Sequence, residues 1–483
     1  MTMPRPVHAH TQTPPPDTPK VTTADLRRAA WASSIGSALE YYDFALYSLA
    51  SALIFSPLFF PHGNPATGLI LSFSTYFVGF AVRPIGGIVF GRIGDRRGRK
   101  YVLVATVGMM GTASALIGVL PTYNGSPGDW YSSGVGILAP ILLLILRIVQ
   151  GLCAGTEMAG ASVLMTEYAP TRRRGYYSSL PFMAVQVGTV AAALIYFVLY
   201  SAGKQTITET WLWRVPFLAS LIIIAVAIYL RLRLKESPTF RKLAAHGQIA
   251  DHPLRELLAN SRGTLLRGIG LRMAENGSSS IYQALAVAYV TSAAVGVKGP
   301  IGALSLVFAA TLGAVMVPIA GALSDKFGRV RVYRAFAVFQ LVAAFPVWWA
   351  LSQGSTIVTI VVISLALGVG TWGMFGSQSA FMTELFGARH RYLGVSVARE
   401  VSAVVAGGLA PLIGATIIAA VVAADGGSTV PGAGLGSWVF LAGYTAILCA
   451  ITVATTFVTP DPADRNLDDN RDALLAQRAQ SAR

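Results

Sequence analysis

Gly91-Arg92-Ile93-Gly94-Asp95-Arg96-Arg97-Gly98-Arg99-Lys100 and Gly321-Ala322-Leu323-Ser324-Asp325-Lys326-Phe327-Gly328-Arg329-Val330-Arg331 lie about half a chain apart and read almost alike. Both follow G-x-x-x-D-[RK]-x-G-R, and each joins two long apolar runs. A second pair repeats as well. Thr166-Glu167 precedes Arg172-Arg173-Arg174, and Thr383-Glu384 precedes Arg389-His390-Arg391 at the same spacing. Charged motifs that recur between apolar runs point to a duplicated bundle of membrane helices.

Composition agrees. The 483 residues are 54% hydrophobic and 12% charged, with a mean hydropathy of +0.58. Soluble domains carry about 25% charged residues. A span needs about 20 mostly apolar residues. Twelve stretches qualify as expected spans: 29–54, 67–90, 101–121, 138–165, 176–201, 211–232, 264–292, 300–322, 332–352, 355–382, 392–423 and 436–459. The expected fold is therefore an all-α integral membrane protein of two pseudo-symmetric six-helix bundles, residues 28–232 and 264–459.

The formal charge is +15. In a soluble chain this would suggest nucleic acid. Here the cations sit in alternate loops, as the positive-inside rule requires. Arg92 to Lys100 follow the second span and Arg172 to Arg174 the fourth. Lys326, Arg329 and Arg331 follow the eighth, and Arg389 and Arg391 the tenth. Arg231, Arg233, Lys235, Arg241, Lys242, Arg255 and Arg262 crowd the middle loop, whereas the intervening loops hold little beyond Lys204 and Lys298. The tail 1–27, the linker 233–263 and the tail 460–483 are thus expected in the cytoplasm. The linker is expected on the membrane surface with some amphipathic helix, and its basic residues either meet anionic lipid or form a solvated tether. The C-terminal tail reads as polar and soluble, with a short helix in 467–479. Residues 1–27 have no apolar core and are not a cleaved signal.

At this point the chain resembles the major facilitator superfamily, and more narrowly the bacterial metabolite:H⁺ symporter family of shikimate, 2-oxoglutarate, citrate and proline/betaine carriers. The likeness rests on motifs in order along the chain. They are Gly36-Ser-Ala-Leu-Glu40-Tyr-Tyr-Asp43-Phe44, Arg83-Pro84-Ile-Gly86-Gly87 running into the Gly91 motif, and Arg147-Ile-Val-Gln150-Gly151. Trp213-Arg214-Val-Pro216-Phe217 and Glu236-Ser237-Pro238 follow. The resemblance implies alternating access between two halves, a bacterial inner-membrane location, and a role for Arg147 in tuning proton release. It also implies that the duplicated loop motif is a conformational latch formed by Gly91, Asp95, Arg96, Gly98 and Arg99, with Asp325 and Arg329 in the second copy.

Ionised groups inside spans cost roughly 2.5–3.5 kcal/mol on insertion scales, so each needs a partner, a cavity or a function. Gly36, Glu40, Asp43 and Tyr47 share one helical face. Two carboxylates one turn apart repel when both are ionised, so the pair favours holding a proton. Either Asp43 and Glu40 carry the coupled proton, or both simply pair with Arg147. Glu157 is a further candidate on another face. Arg147, Gln150, Gly151 and Ala154 share a face of the fourth span. Arg272, Glu275, Asn276, Ser279, Tyr282 and Gln283 form a polar stripe on the seventh. They line a water-filled cavity or face another helix. Arg399 and Glu400 lie on the eleventh, and pairing with Glu275 and Arg272 is the alternative to a cavity role. Tyr76, Trp372 and Gln378 complete the candidate substrate contacts.

Gly91 permits close backbone approach, and Asp95 can accept hydrogen bonds from the start of a neighbouring helix. Orientation signalling alone would explain the cations but not these residues. Cys153 and Cys449 lie in apolar spans and read as packing residues. All six histidines lie outside the spans. No metal site, catalytic set or phosphate-cradling Gly-x-x-x-x-Gly-Lys-Ser/Thr loop is present. The expectation is a monomeric carrier, not an enzyme, without cofactor or nucleic-acid partner, driven by protons. Its expected cargo is a small organic acid. A zwitterionic osmolyte is the alternative, and a proton-driven drug exporter a more distant one.

Overall fold

The computed structural model describes residues 23–61, 65–97, 99–125, 134–154, 157–201, 210–232, 253–292, 295–297, 300–388, 391–426, 434–467, 469 and 471–475. Every regular element among them is helical. A helix satisfies its backbone donors and acceptors within the segment, which an apolar surround demands. Among the described residues, eight helical stretches are long and apolar enough to cross a membrane. They are Thr67–Phe90, Leu138–Tyr168, Thr171–Ser201, Ile301–Phe327, Arg329–Ser352, Thr356–Leu385, Arg391–Ala424 and Ser437–Val458. Val104–Ile117 and Trp211–Val226 are shorter apolar helices where the third and sixth spans were expected.

The first and seventh expected spans fall on helices that carry polar groups. Thr23–Leu53 is one unbroken helix of 31 residues, about 46 Å long at 1.5 Å per residue. It includes Glu40 and Asp43, which lower its hydropathy. The seventh runs as Arg262–Leu271, Met273–Ser280 and Ala286–Thr291, with a π-helical turn at Ile281–Leu285. Two further π-helical segments, Ser364–Thr371 and Ala403–Gly408, interrupt the tenth and eleventh. Such segments offset the helical register, often beside functional side chains.

The length of chain up to residue 232, called here the N-terminal half, packs against the part from residue 253 onward. The longest contact between them pairs Arg174–Ser201 with Ile301–Phe327. Glycines allow it. A β-carbon on Gly175 would stand 2.3 Å from the Gly321 carbonyl oxygen, and one on Gly321 2.5 Å from that of Gly175. Close backbone approach of this kind is how helices associate where no hydrophobic drive exists between them. Large apolar side chains such as Ile222, Ile357 and Val342 face outward at 71%, 75% and 68% exposure, as a lipid-facing rim requires.

One stretch behaves differently from its composition. The tail after Pro460 was expected to be soluble. Instead Leu467, Asp472 and Ala473 are buried, and the stretch packs against helix ends on the basic side of the molecule. Its polar groups serve helix termini, as described below. In the linker, where some amphipathic helix was expected, Pro253–Asn260 is a helix that buries Leu257 completely; residues 233–252 lie outside the described residues.

Candidate functional site

A polar layer crosses the middle of the molecule. On the N-terminal side, Asp43 is buried and accepts a hydrogen bond from Ser220 Oγ at 2.8 Å. Arg147 donates to Gln150 Oε1 at 3.2 Å, and Gln150 donates to Ser114 Oγ at 2.6 Å. The Arg147 guanidinium lies 3.9 Å above the Tyr47 ring centroid, with Phe44 and Tyr76 at 5.4 and 5.5 Å. A desolvated cation over an aromatic face gains about 2 kcal/mol. Asp43, Arg147, Gln150 and Gly151 line one small cavity, yet Asp43 takes its hydrogen bond from a neutral hydroxyl, not from Arg147. A static pairing of both first-span acids with Arg147 therefore does not hold for Asp43. Glu40 is also buried. The Glu157 side chain lies outside the described residues.

On the other side, Arg272 is held by four partners. It donates to Gln378 Oε1, to Ser402 Oγ at 3.2 Å and to Asn276 Oδ1 at 3.2 Å, and pairs with Glu275 Oε2 at 3.0 Å. Asn276 in turn donates to Ser402 Oγ at 2.8 Å. Arg399 pairs with its neighbour Glu400 at 3.7 Å and donates to Tyr41 Oη of the N-terminal half at 3.2 Å. The expected cross-pairing of Arg399 with Glu275 and of Glu400 with Arg272 is thus replaced by pairs within each helix. A second cavity lies between the halves, with Ser162 and Phe182 on one wall and Arg272, Gln378, Ser379 and Arg399 on the other.

The remaining candidates are more dispersed. Tyr76 spans the halves, its hydroxyl 3.4 Å from Ser280 Oγ. Trp372 packs onto Gly313, where a β-carbon would meet its ring at 2.2 Å. Tyr282 is fully buried and lines neither cavity. Two residues join the layer that sequence reasoning did not select. Tyr41 is one, through Arg399. Arg83 is the other, buried with its guanidinium 4.2 Å over Phe44 and 4.7 Å over Phe80. Its signal was visible as an arginine inside an apolar run, but it was read only as part of a motif.

The halves touch at the layer itself, where β-carbons at Gly407 and Gly408 would lie 3.1 and 2.8 Å from Phe80. They touch again at the basic end, where the Thr-Glu and arginine repeats close on each other. Asp325 accepts from the Gly175 and Tyr176 amides at 2.7 and 2.9 Å, capping a helix of the opposite half. A carboxylate there also meets the positive end of the helix dipole. Arg329 binds Asp325 at 2.7 Å and Glu384 at 2.9 Å. Gly328 turns between the two helices at φ 95°, a conformation open to glycine but costly for other residues. Gly98 and the side chains of Gly91, Asp95, Arg96 and Arg99 lie outside the described residues.

Two ion pairs cross between the halves here, and they are copies of each other. Arg174 meets Glu384 at 3.5 Å, and Arg391 meets Glu167 at 2.9 Å. Glu384 and Arg391 stand 217 residues after Glu167 and Arg174. Ser162 and Ser379 have the same separation and face each other directly, Oγ to Oγ at 2.8 Å. The C-terminal stretch completes this end. Arg174 also donates to the Arg465 carbonyl at 2.7 Å, and Arg391 to the Leu467 carbonyl. Asp461 accepts from the Arg329 amide at 3.2 Å, and Asp472 from the Gly387 amide at 2.9 Å.

Residues 33–411 match the sequence profile of the Major Facilitator Superfamily. The chain belongs to the major facilitator superfamily. It is 35% identical over 453 residues to the shikimate transporter of Escherichia coli (strain K12), covering 92% of this chain and 97% of that one. It is 31% identical over 407 residues to the proline/betaine transporter of Salmonella typhimurium (strain LT2), covering 81% and 78%. Among solved structures, a D-xylose–proton symporter superposes with a TM-score of 0.66 at 18% identity, over 91% of this chain and 99% of that one. At that identity the likeness shows the fold. As a member of this superfamily the protein is a multi-pass membrane transporter and not an enzyme, and it groups with the metabolite symporter-like carriers.

Proposed function

We propose that this carrier takes up a small organic acid together with protons across a bacterial inner membrane. Two six-helix halves of twelve spans alternate access to the polar layer, and the basic end with both tails faces the cytoplasm. Asp43, with Glu40, carries the proton. Arg147 senses it, and Glu157 is a further candidate. Arg147, with Arg272, Glu275, Asn276, Gln378, Arg399, Tyr76, Gln150, Trp372 and Tyr282, is also among the candidate substrate contacts. Gly91, Asp95, Arg96, Gly98 and Arg99 mirror the Asp325–Arg329 latch, and the alternation of basic loops supports the orientation.

One observation carries the coupling. Asp43 is buried yet bonded to the neutral Ser220 hydroxyl, while Arg147 lines the same cavity. An acid so placed exchanges a proton without first breaking an ion pair, and moving Arg147 toward or away from it alters its hold on that proton. Three buried arginines, Arg147, Arg272 and Arg399, support a carboxylate as cargo, because guanidinium groups match carboxylates in shape and charge. The abundance of buried acids supports a carboxylated zwitterion as the second reading, and one curated relative is a proline/betaine transporter.

The test is uptake into proteoliposomes under an imposed pH gradient. Shikimate, 2-oxoglutarate and proline are compared with their amides. Accumulation of an acid, abolished by a protonophore, is the expected result. Equal handling of acids and amides sinks the carboxylate reading, and uptake indifferent to the gradient sinks the coupling. Orientation is read separately, with Gly128→Cys and Gly203→Cys labelled from outside and His246→Cys protected.

A further inference from the structure

The three buried arginines differ in what is left of their donors. Arg272 is engaged by four partners of its own half, one of them a carboxylate at 3.0 Å. Arg147 is sandwiched on Tyr47 and borders a cavity lined only by the N-terminal half. Arg399 alone of the three lines the cavity between the halves with its nearest carboxylate at 3.7 Å, beyond the 2.7–2.9 Å of a charge-assisted hydrogen bond. Its shorter contact is the Tyr41 hydroxyl, at 3.2 Å across the interface.

The wall of that cavity has a consistent chemistry. Arg272, Arg399, Gln378, Ser162 and Ser379 supply its polar groups, and none of the described lining residues is a carboxylate. Gln378 gives its Oε1 to Arg272, which leaves its amide nitrogen facing no acceptor although the residue is only 1% exposed. A buried donor without an acceptor is a cost that a ligand can remove. Met158 and Met382 provide polarizable apolar surface beside these donors.

We propose that Arg399 and the Gln378 amide form the carboxylate-recognition site, and that Tyr41 occupies Arg399 when the site is empty. This inference rests on the carboxylate reading above and deepens it. A carboxylate offers two oxygens, one for the guanidinium and one for the amide. It is also a stronger acceptor than a tyrosine hydroxyl, because the bond is charge-assisted. Substrate and Tyr41 therefore compete for one guanidinium. Occupancy breaks a contact that ties the halves together, while the aromatic contact of Phe182 with Phe375 at 4.4 Å stays. Tyr41 is a positioning residue in this scheme, and its influence passes through Arg399.

The experiment uses purified full-length protein and ligand-induced thermal stabilisation, with shikimate, 2-oxoglutarate and proline and their amides as probes. The acid that binds wild type most tightly is then measured against each variant. Arg399→Gln is expected to bring acid and amide within threefold of each other. Arg399→Lys, which keeps the charge should the first variant not fold, is expected to lose at least threefold of the preference. Tyr41→Phe removes only the hydroxyl and is expected to tighten the acid three- to tenfold without altering the amide. Wild type that binds no acid, or binds acid and amide alike, overturns the carboxylate reading and this site with it. If wild type discriminates, full discrimination in the Arg399 variants overturns the site alone. Unchanged or weaker acid binding in Tyr41→Phe overturns the competition.

Discussion

Gly79 lies so close to Arg147 that a β-carbon on it would stand 2.2 Å from Nε and 2.7 Å from Cζ. The missing side chain is what lets the guanidinium settle over the Tyr47 ring. Gly79→Ala must push that cation off its seat. The stake is a contact of about 2 kcal/mol, so transport should fall roughly tenfold or more with membrane insertion intact. Gly87, where a β-carbon meets nothing within 4 Å, is the control. Initial uptake rates per inserted protein check the pair, and equal rates in the two alanine variants would refute the seat.

The two copied ion pairs should differ in weight. Glu384 is fully buried between Arg329 and Arg174, whereas the Glu167 side chain is 31% exposed. Breaking a fully buried pair costs about 3–5 kcal/mol, whereas water already reaches Glu167 and screens its pair with the buried Arg391. Glu384→Gln should therefore lower the melting temperature markedly and Glu167→Gln by less. Charge reversal at Glu167→Arg should slow transport, and the added Arg391→Glu should restore it in part. A double variant no faster than the single one would show that the pair has no role in the cycle.

Asp43→Asn should abolish accumulation against a gradient while leaving counterflow of bound substrate. Ser220→Ala removes only the hydrogen bond at 2.8 Å and should shift the pH dependence of uptake with a smaller loss. Persistence of proton-driven accumulation in Asp43→Asn would move the proton to another acid, Glu40 first.

Truncation after Thr459 removes the acceptors that Arg174 and Arg391 find at Arg465 and Leu467, and the Asp461 and Asp472 caps. The basic end should then open more readily. Ser162→Cys, placed at the contact with Ser379, should be labelled by a thiol reagent from that side at least threefold faster in the truncated chain. Labelling at the full-length rate would leave the stretch without a part in closure. Cys153 and Cys449 are both buried and contribute little background.

Local patterns carried much of this architecture. Apolar length located the helices, and the Gly321 motif with the Thr-Glu and arginine repeat located an end where the halves meet. Polar spacing picked out Asp43, Arg147, Arg272 and Arg399, because a charge inside an apolar helix stands out by itself. What stayed hidden was pairing at a distance. Tyr41 looked like one aromatic among many until Arg399, far along the chain, proved to lie against it. Thr-Glu with its two arginines was legible as a repeat, but only folding shows each glutamate meeting the arginine of the other copy. The C-terminal stretch looked solvated because it is polar. Its carbonyls and carboxylates instead bind guanidinium groups and helix termini, a use that composition does not separate from exposure to water.

The meeting of Ser162 with Ser379 has a meaning for the symmetry of the molecule. In a symmetric pair of identical subunits, only a residue on the two-fold axis can touch its own counterpart. Here equivalent positions of two repeats do so at 2.8 Å within one polypeptide. That contact puts the pair on the local two-fold axis that relates the repeats. A displacement of one repeat about this axis is felt by its counterpart at the same point. Any polar change at either serine still falls where the molecule must agree with itself.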